Sequence, residues 1–255
     1  MRIPQSKIIE YYLKNFFLSE SYLLKKRANR FFKKQTEKEI RILKQLVNPE
    51  TASIDIGVYR GVYSYHLLKY SKFVYAFEAN RLLFEKLTNG FKKYSNIKLE
   101  NLAISSSSGK DTLKIPLRNE NIKHSDYEEL YQLGTATIHQ DNDLNNQKFH
   151  TIEVNKINLD NYNFNHRIGF IKIDVEGHEL EIINGARELI SKYKPNMMLE
   201  IEQKHTGLNN IKIINEVKKL GYECFILNDD YNFMKVNEDN INSLSNNNFI
   251  FKPNN

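Results

Sequence analysis

The sequence predicts an α/β protein of the Rossmann-like type, with a mostly parallel sheet covered by helices on both faces. Two observations carry this prediction. From residue 50 onward, short β-rich runs alternate with stretches of helical periodicity, which is the pattern of repeated βαβ units. The chain is also long enough, at 255 residues with 40% hydrophobic content, to bury one full core.

The predicted elements follow one another in a regular order. The strand "SIDIG" (53–57) precedes a helix near 61–70, and "FVYAFEA" (73–79) precedes a helix near 81–94. Further strands are predicted at 97–104, 112–117, 169–175, 196–202, 222–227 and 248–252, the last as an edge strand, with helices near 179–193 and 209–220.

Residues 1–48 form a distinct basic segment, ahead of the sheet domain predicted at 49–255. The net charge of +6 is uneven: residues 1–45 contain 12 Lys or Arg and 4 Asp or Glu (+8), which leaves 25 against 27 (−2) for the rest. Helical spacing of its apolar residues predicts amphipathic helices. Such helices cover a core, pair with a second subunit in a homo-oligomer, or lie on an anionic membrane surface.

The chain shows no sign of export or of membrane insertion. Charged residues such as Glu10 and Glu20 interrupt the N-terminal apolar run well before the length of a spanning helix. The single Cys224 excludes an internal disulfide and a cysteine-based zinc site. We therefore expect a cytoplasmic protein, with peripheral contact at the inner membrane face through the N-terminal helices as an alternative.

Residues 118–147 interrupt the alternation with a polar, Asn- and Asp-rich stretch that has no period. Loops of this length are uncommon in compact domains and often serve as lids. We expect this insertion to cover the acceptor side of the site rather than the cofactor.

The stretch "SIDIGVYRGVYSYHLL" has the features of a nucleoside-cofactor site. Asp55 ends a buried strand, and Gly57 and Gly61 are spaced for a tight turn into a helix whose N-terminal N–H groups are free. Glu78 ends the next strand, where an acid can accept hydrogen bonds from both ribose hydroxyls. The spacing is D-x-G-x-x-x-G rather than the dinucleotide G-x-G-x-x-G, which favours S-adenosylmethionine (SAM) over NAD.

Four stretches together resemble the FkbM family of SAM-dependent methyltransferases: "DIGVYRGVYS", "VYAFEANRLLFEKL", "NLAISSSSGKDTLKIP" and "FIKIDVEGHELEIINGA". The resemblance covers about residues 50–205 and implies a Rossmann-like sheet with SAM across the carboxyl ends of the first strands. Family substrates are mostly hydroxyl groups of sugars or small secondary metabolites. The implied contacts are Asp55, Gly57, Gly61 and Ser64 at the methionine end, Glu78 at the ribose, and Asn101, Leu102 and Ala103 at the adenine.

Two predicted cofactor positions depart from the pattern of the family. Val58 and Tyr59 stand where Ala-Asn is common, and Ala79 stands where Pro is common. The Tyr59 difference matters more, because an Asn there can contact the cofactor, but the glycine turn is unchanged.

The stretch "IKIDVEGHELEIING" (171–185) supplies the candidate chemical groups. Asp174 follows a predicted strand at the carboxyl edge of the sheet, where ligands bind in open α/β folds. Asp174 is also expected to contact the cofactor. Transfer to a hydroxyl needs a base or a metal, and His178 is the first candidate for the base because its ordinary pKa is near neutrality. Glu176 is the next candidate.

A magnesium site is a further hypothesis at the same edge. The next strand ends in "MLEIEQKH", which places Glu200 and Glu202 on one side of that strand and next to Asp174. This arrangement is similar to the carboxylate pair that binds magnesium in catechol-type O-methyltransferases, and oxygen ligands suit a hard cation. A metal-free polar site is equally compatible with the residues.

The function favoured by these features is SAM-dependent O-methylation of a sugar, a glycan precursor for a surface polysaccharide, or a small secondary metabolite. A nucleic-acid acceptor is a less favoured alternative, because the domain after residue 50 is slightly acidic and lacks interleaved basic and aromatic residues. A non-catalytic cofactor-binding or assembly module is the third. The complete set of cofactor residues argues against that third reading.

Overall fold

The computed structural model describes residues 18–34, 37–117, 136–139, 148–201, 210–237 and 247–254. Its main feature is an eight-stranded sheet of order β10-β9-β11-β8-β7-β1-β2-β3, beside a three-stranded sheet of order β4-β6-β5. The strands are β1 Ala52–Ile56, β2 Phe73–Phe77, β3 Ile97–Glu100, β4 Ala103–Ile104, β5 Gly109–Pro116, β6 Phe149–Ile157, β7 Ile168–Ile173, β8 Asn196–Glu200, β9 Tyr222–Leu227, β10 Phe233–Lys235 and β11 Asn248–Pro253.

Helices lie on both faces of the large sheet. They are α1 Glu20–Lys34, α2 Leu43–Leu46, α3 Val62–Leu67, α4 Arg81–Phe91, α5 Glu179–Asn184, α6 Arg187–Tyr193 and α7 Asn210–Lys219, with 3₁₀-helices at Lys38–Ile42 and Leu159–Asn161. No helix in the described ranges is both long and apolar enough to cross a membrane.

The centre of the large sheet is parallel. β1 pairs in parallel with β2 and β7, and β7 pairs in parallel with β8. Parallel strands with helices on both faces bring their carboxyl ends to one edge. The turns after β1, β2 and β7 therefore meet at the edge where a ligand is expected.

Side-chain alternation along the central strands gives each face of the sheet its own core. Ile54 and Ile56 of β1 and Ile171 and Ile173 of β7 belong to the cluster that packs under α5 to α7. Phe170 of β7 belongs to the opposite cluster, which packs against α1, α3 and α4. The N-terminal helix α1 joins this second core through Leu24 and Ala28.

The predicted α/β fold and its parallel strands are confirmed, and three differences from the predicted elements stand out. Strands β6 and β10 were not predicted. β11 is not an edge strand, because it lies between β8 and β9 and pairs antiparallel with both. The helix predicted near 179–193 is broken at Gly185, where a Cβ would lie 2.1 Å from the carbonyl oxygen of Ser105.

Candidate active site

A cavity opens at the carboxyl ends of β1, β2 and β7, with an empty volume of about 650 Å³ that is partly open to solvent. Its walls come from six parts of the chain, and the residues are Ile56, Gly57, Tyr59, Phe77, Glu78, Ala79, Leu102, Ala103, Ile104, Leu113, Ala136, Ile138, Asp174, Val175, Glu176 and His178.

The turn after β1 needs glycine because of both its conformation and its packing. Gly57 has φ +80°, and a Cβ there would lie 1.8 Å from the carbonyl oxygen of Asp174. Gly61 has φ +77° and opens helix α3. The glycine spacing read from the sequence therefore corresponds to a left-handed turn that brings β1 against the end of β7.

Glu78 is held rigidly at the middle of the cavity wall. One carboxylate oxygen accepts a hydrogen bond from the backbone N–H of Tyr59 at 2.8 Å, and the other accepts one from the N–H of Asn80 at 2.8 Å. The side chain is 7% exposed, and burial raises the pKa of Glu78 to about 7, although both backbone N–H groups oppose the rise. Each oxygen keeps a free lone pair for a ligand hydroxyl.

Four predicted cofactor residues lie behind the cavity wall rather than in it. Asp55 is 1% exposed and accepts a hydrogen bond from the hydroxyl of Ser64 at 2.5 Å. Gly61 packs against the side chains of α4. The amide of Asn101 donates to the backbone carbonyls of Glu78 and Ala79. None of the four lines the cavity. Oδ1 of Asp55 is buried and has no hydrogen-bond partner among the described residues, and the direct cofactor contacts predicted for the four residues stay predictions.

The apolar end of the cavity is where an adenine ring fits. Ala79, Leu102 and Ala103, which the sequence analysis assigns to the cofactor, line it. Leu113 of β5, with Ala136 and Ile138, closes it. These last three were not predicted as site residues, although the strand at 112–117 was predicted. Since Ala136 and Ile138 belong to the 118–147 insertion, its described part borders the cofactor end, and the rest lies outside the described residues.

The opposite end of the cavity is acidic. Asp174 follows β7, and the Nζ of Lys172 donates a hydrogen bond to its Oδ2 at 2.8 Å. Glu176 has φ +55° and Tyr59 has φ +52°, and both line the cavity. Non-glycine residues in this left-handed region are uncommon and often occur at functional sites.

His178 lies in the wall of the cavity, but its pKa is not near neutrality, which was the reason for predicting it as the base. Its Nε2 is 2.9 Å from the hydroxyl of Ser105, and among the described residues its buried Nδ1 has no hydrogen-bond partner. Burial, followed by the neighbouring His139, lowers the pKa of His178 to about 4. The imidazole is therefore neutral at physiological pH and has a free ring nitrogen.

The magnesium hypothesis gains no support from the geometry. Within the described ranges, no group of three His, Cys, Asp or Glu side chains is arranged to hold a metal ion. Glu200 ends β8 as expected, and burial and the nearby Asp174 raise its pKa. Glu202 lies outside the described residues. The buried ammonium of Lys172 donates to one oxygen of Asp174, and the metal role of Asp174, Glu200 and Glu202 stays a prediction.

The residues of the cavity fit SAM. The apolar end suits adenine, the two oxygens of Glu78 suit the ribose hydroxyls, and the turn at Gly57 lets the backbone approach the methionine portion. Asp174 at the far end places a carboxylate on the side where a sulfonium would lie.

Comparison with solved structures gives matches to methyltransferases. A methyltransferase FkbM from Methylobacillus flagellatus KT aligns with a TM-score of 0.50 and 15% identity over 80% of this chain and 44% of its own. The chain thus spans less than half of that protein. An rRNA methylase from Streptococcus thermophilus gives a TM-score of 0.45 and 12% identity over 86% of this chain and 96% of its own.

A third match is SMU.1697c of Streptococcus mutans, solved in complex with SAH, with a TM-score of 0.44 and 11% identity over 85% of this chain and 94% of its own. At 15% identity, the match to the Methylobacillus flagellatus protein shows the shared fold only. None of the curated proteins compared with the chain matches it.

The family model for the methyltransferase FkbM domain matches residues 55–224. This range begins at the end of β1 and runs into β9, so it contains the turn at Gly57, Glu78, the apolar end and the Asp174–His178 stretch. The match covers well over half of the chain. The protein therefore belongs to the FkbM methyltransferase family.

Proposed function

We propose that the protein is a SAM-dependent O-methyltransferase that acts on a hydroxyl of a sugar, a glycan precursor or a small secondary metabolite. The observation that carries the proposal is the arrangement of the cavity wall along the strand order β7-β1-β2-β3: Asp174 and Glu176 follow β7, Glu78 follows β2, and the apolar Leu102 follows β3. That order suits a nucleoside cofactor whose reactive end meets a polar acceptor.

The chain's own residues would bind and orient the reactants. SAM supplies an activated methyl group on a sulfonium. Glu78 binds the ribose and fixes the position of the cofactor along the cavity. Asp174 and Glu176 accept hydrogen bonds from acceptor hydroxyls and so hold one hydroxyl in line for displacement, which supplies much of the rate in such a reaction.

The proton of the acceptor hydroxyl needs a receiving group within the same wall. We assign this role to His178, whose ring lines the cavity and whose buried Nδ1 lacks a partner among the described residues. In the tautomer that carries its proton on Nε2, that nitrogen donates to the hydroxyl of Ser105 at 2.9 Å and Nδ1 is the bare nitrogen. Because the lowered pKa makes this imidazole a weak base, Glu176 is the second candidate.

The test is a transfer assay with isotope-labelled SAM on a panel of free sugars, nucleotide sugars and small hydroxylated metabolites, with RNA as a separate arm. NMR of the product identifies whether the methyl group is on oxygen, nitrogen or carbon. O-methylation of a small hydroxylated acceptor supports the proposal. Methylation of RNA alone, or transfer of the methyl group to nitrogen, contradicts the proposal. Binding of SAM without methylation of any acceptor in the assay favours a non-catalytic module.

A further inference from the structure

A lysine is buried in the core directly beneath the acidic end of the cavity. Lys172 is 2% exposed. It is the fifth of the six residues of β7, two residues after Phe170 and two before Asp174, so alternation places all three side chains on one face of the sheet. The strand register sets Asp55 of β1 beside Lys172.

The ammonium of Lys172 is surrounded by carboxylates and one aromatic ring. It donates to Oδ2 of Asp174 at 2.8 Å and lies 4.4 Å from the ring centroid of Tyr63. Asp55 and Glu37 also attract it. Burial lowers the pKa of Lys172, but these carboxylates outweigh burial and hold that pKa above its ordinary value. The side chain is therefore a buried cation.

Packing alone gives no reason for a cation at this position. The neighbours of Lys172 on the same face include Phe170 and Met198, which are fully buried and apolar. Replacing a buried ion pair by apolar residues is often neutral or stabilising, because desolvation of the charges is costly. A role in the site explains a lysine at this position better than packing does.

Glu37 extends the same cluster into the N-terminal segment. It precedes the 3₁₀-helix Lys38–Ile42, and burial raises its pKa while attraction to Lys172 opposes the rise. Asp174 and Glu200 also interact with it electrostatically. Since the family match starts at residue 55, the charge of Glu37 comes from outside the matched region.

We propose that Lys172 is a positioning residue: its ammonium fixes the carboxylate of Asp174 at the acceptor end of the cavity. The role of Lys172 in methyl transfer rests on the function proposed above. The ion pair between Lys172 and Asp174 is independent of that function, because it depends only on the contacts of Lys172.

The pairing is tested without any acceptor, by NMR of isotopically labelled lysine ammonium groups. The ammonium of Lys172, identified by its loss in Lys172→Met, is expected to exchange slowly with water. Asp174→Asn should shift this signal and speed its exchange. Asp229→Asn, which removes the exposed partner of Lys38, is the matched control and should leave the signal unchanged. A Lys172 signal that is the same in wild type and Asp174→Asn overturns the pairing.

The role in transfer is tested with kinetics and calorimetry on Lys172→Met, Asp174→Asn, the double variant and Lys172→Arg. Lys172→Met should keep SAH affinity within about threefold and lower kcat about 10²-fold, the scale for a misplaced group. The double variant should be no slower than Asp174→Asn alone, and Lys172→Arg should recover part of the rate.

The outcomes separate the two proposals. Additive losses in the double variant, or a loss of SAH affinity that matches the loss of rate, overturn the positioning role. If wild type transfers methyl to no acceptor, the proposed function and the transfer role both fail, whereas the NMR experiment still decides the pairing.

Discussion

Glu78 offers the sharpest test of the cofactor placement, because both of its oxygens are fixed by backbone donors. In Glu78→Ala the ribose hydroxyls lose their acceptor. Hydrogen bonds to a charged group contribute about 1.5–3 kcal/mol, and about 1.4 kcal/mol is a factor of ten in affinity. SAH should therefore bind roughly 10- to 150-fold more weakly by isothermal titration calorimetry.

The pH dependence of binding gives a second signature of Glu78. Burial raises its pKa to about 7, and the ionised carboxylate is the better acceptor for two hydroxyls. The affinity of wild type for SAH should fall as the pH drops through about 7, and Glu78→Ala should lose this inflection.

The matched control is Glu85→Gln, an exposed acid on the following helix that pairs with Arg81 at the surface. It should bind within about twofold of wild type, since exposed pairs contribute little. Unchanged SAH affinity in a folded Glu78→Ala protein would refute the placement of the ribose.

Three further predictions follow from the same contacts. Gly57→Ala should weaken SAH binding or prevent folding, because a Cβ would lie 1.8 Å from the carbonyl oxygen of Asp174 and a left-handed alanine costs about 1–2 kcal/mol. Gly90→Ala, whose Cβ would meet its nearest atom at 3.4 Å, should melt at or above the wild-type temperature. The ligand-free protein should gain thermal stability as the pH falls from about 8 to about 6.5. Burial raises the folded-state pKa values of Glu78 and Glu179 to about 7, and stability is lost as the pH rises through these values. A melting temperature that stays constant or decreases as the pH is lowered contradicts this prediction. Helix α1 exposes Lys25, Lys26 and Arg30 beside Tyr22, so the protein should co-sediment with anionic but not neutral vesicles. Charge reversal at these three positions should abolish the binding, and a variant that co-sediments as well as the wild type excludes this surface.

The parallel centre of the fold was predictable because its signals are local. Apolar runs, a glycine turn after "SIDI" and an acid after each strand lie within a few residues of one another. The position of β11 in the sheet was not predictable, because a short apolar run near the end of the chain does not reveal which strands it pairs with. β6 was missed for a related reason: of its residues only Val154 is fully buried, so its alternation in the sequence is weak.

The cofactor end of the site followed from sequence better than the chemical end. Gly57, Glu78 and Ala103 were identified from spacing and resemblance, and all three line the cavity. The properties of His178 depend on Ser105, which is 73 residues away, and no local pattern shows such a contact. Lys172 did leave a signal, a lone cation within the apolar run "GFIKI", but its partners Asp55 and Glu37 become neighbours only through the sheet and the N-terminal segment.

The two halves of the site differ in where their residues come from. The residues assigned to the cofactor lie inside the matched range 55–224, as expected if the members of the family share one cofactor. Glu37 reaches the acidic end from before that range, and Leu24 of α1 packs where a side chain on Gly61 would lie. A segment outside the shared domain therefore supports the glycine turn and contributes charge at the acceptor end. Acceptor preference is expected to vary with this segment more than cofactor affinity does, so exchanging residues 1–48 between family members should change the acceptor and alter the affinity for SAH to a smaller extent.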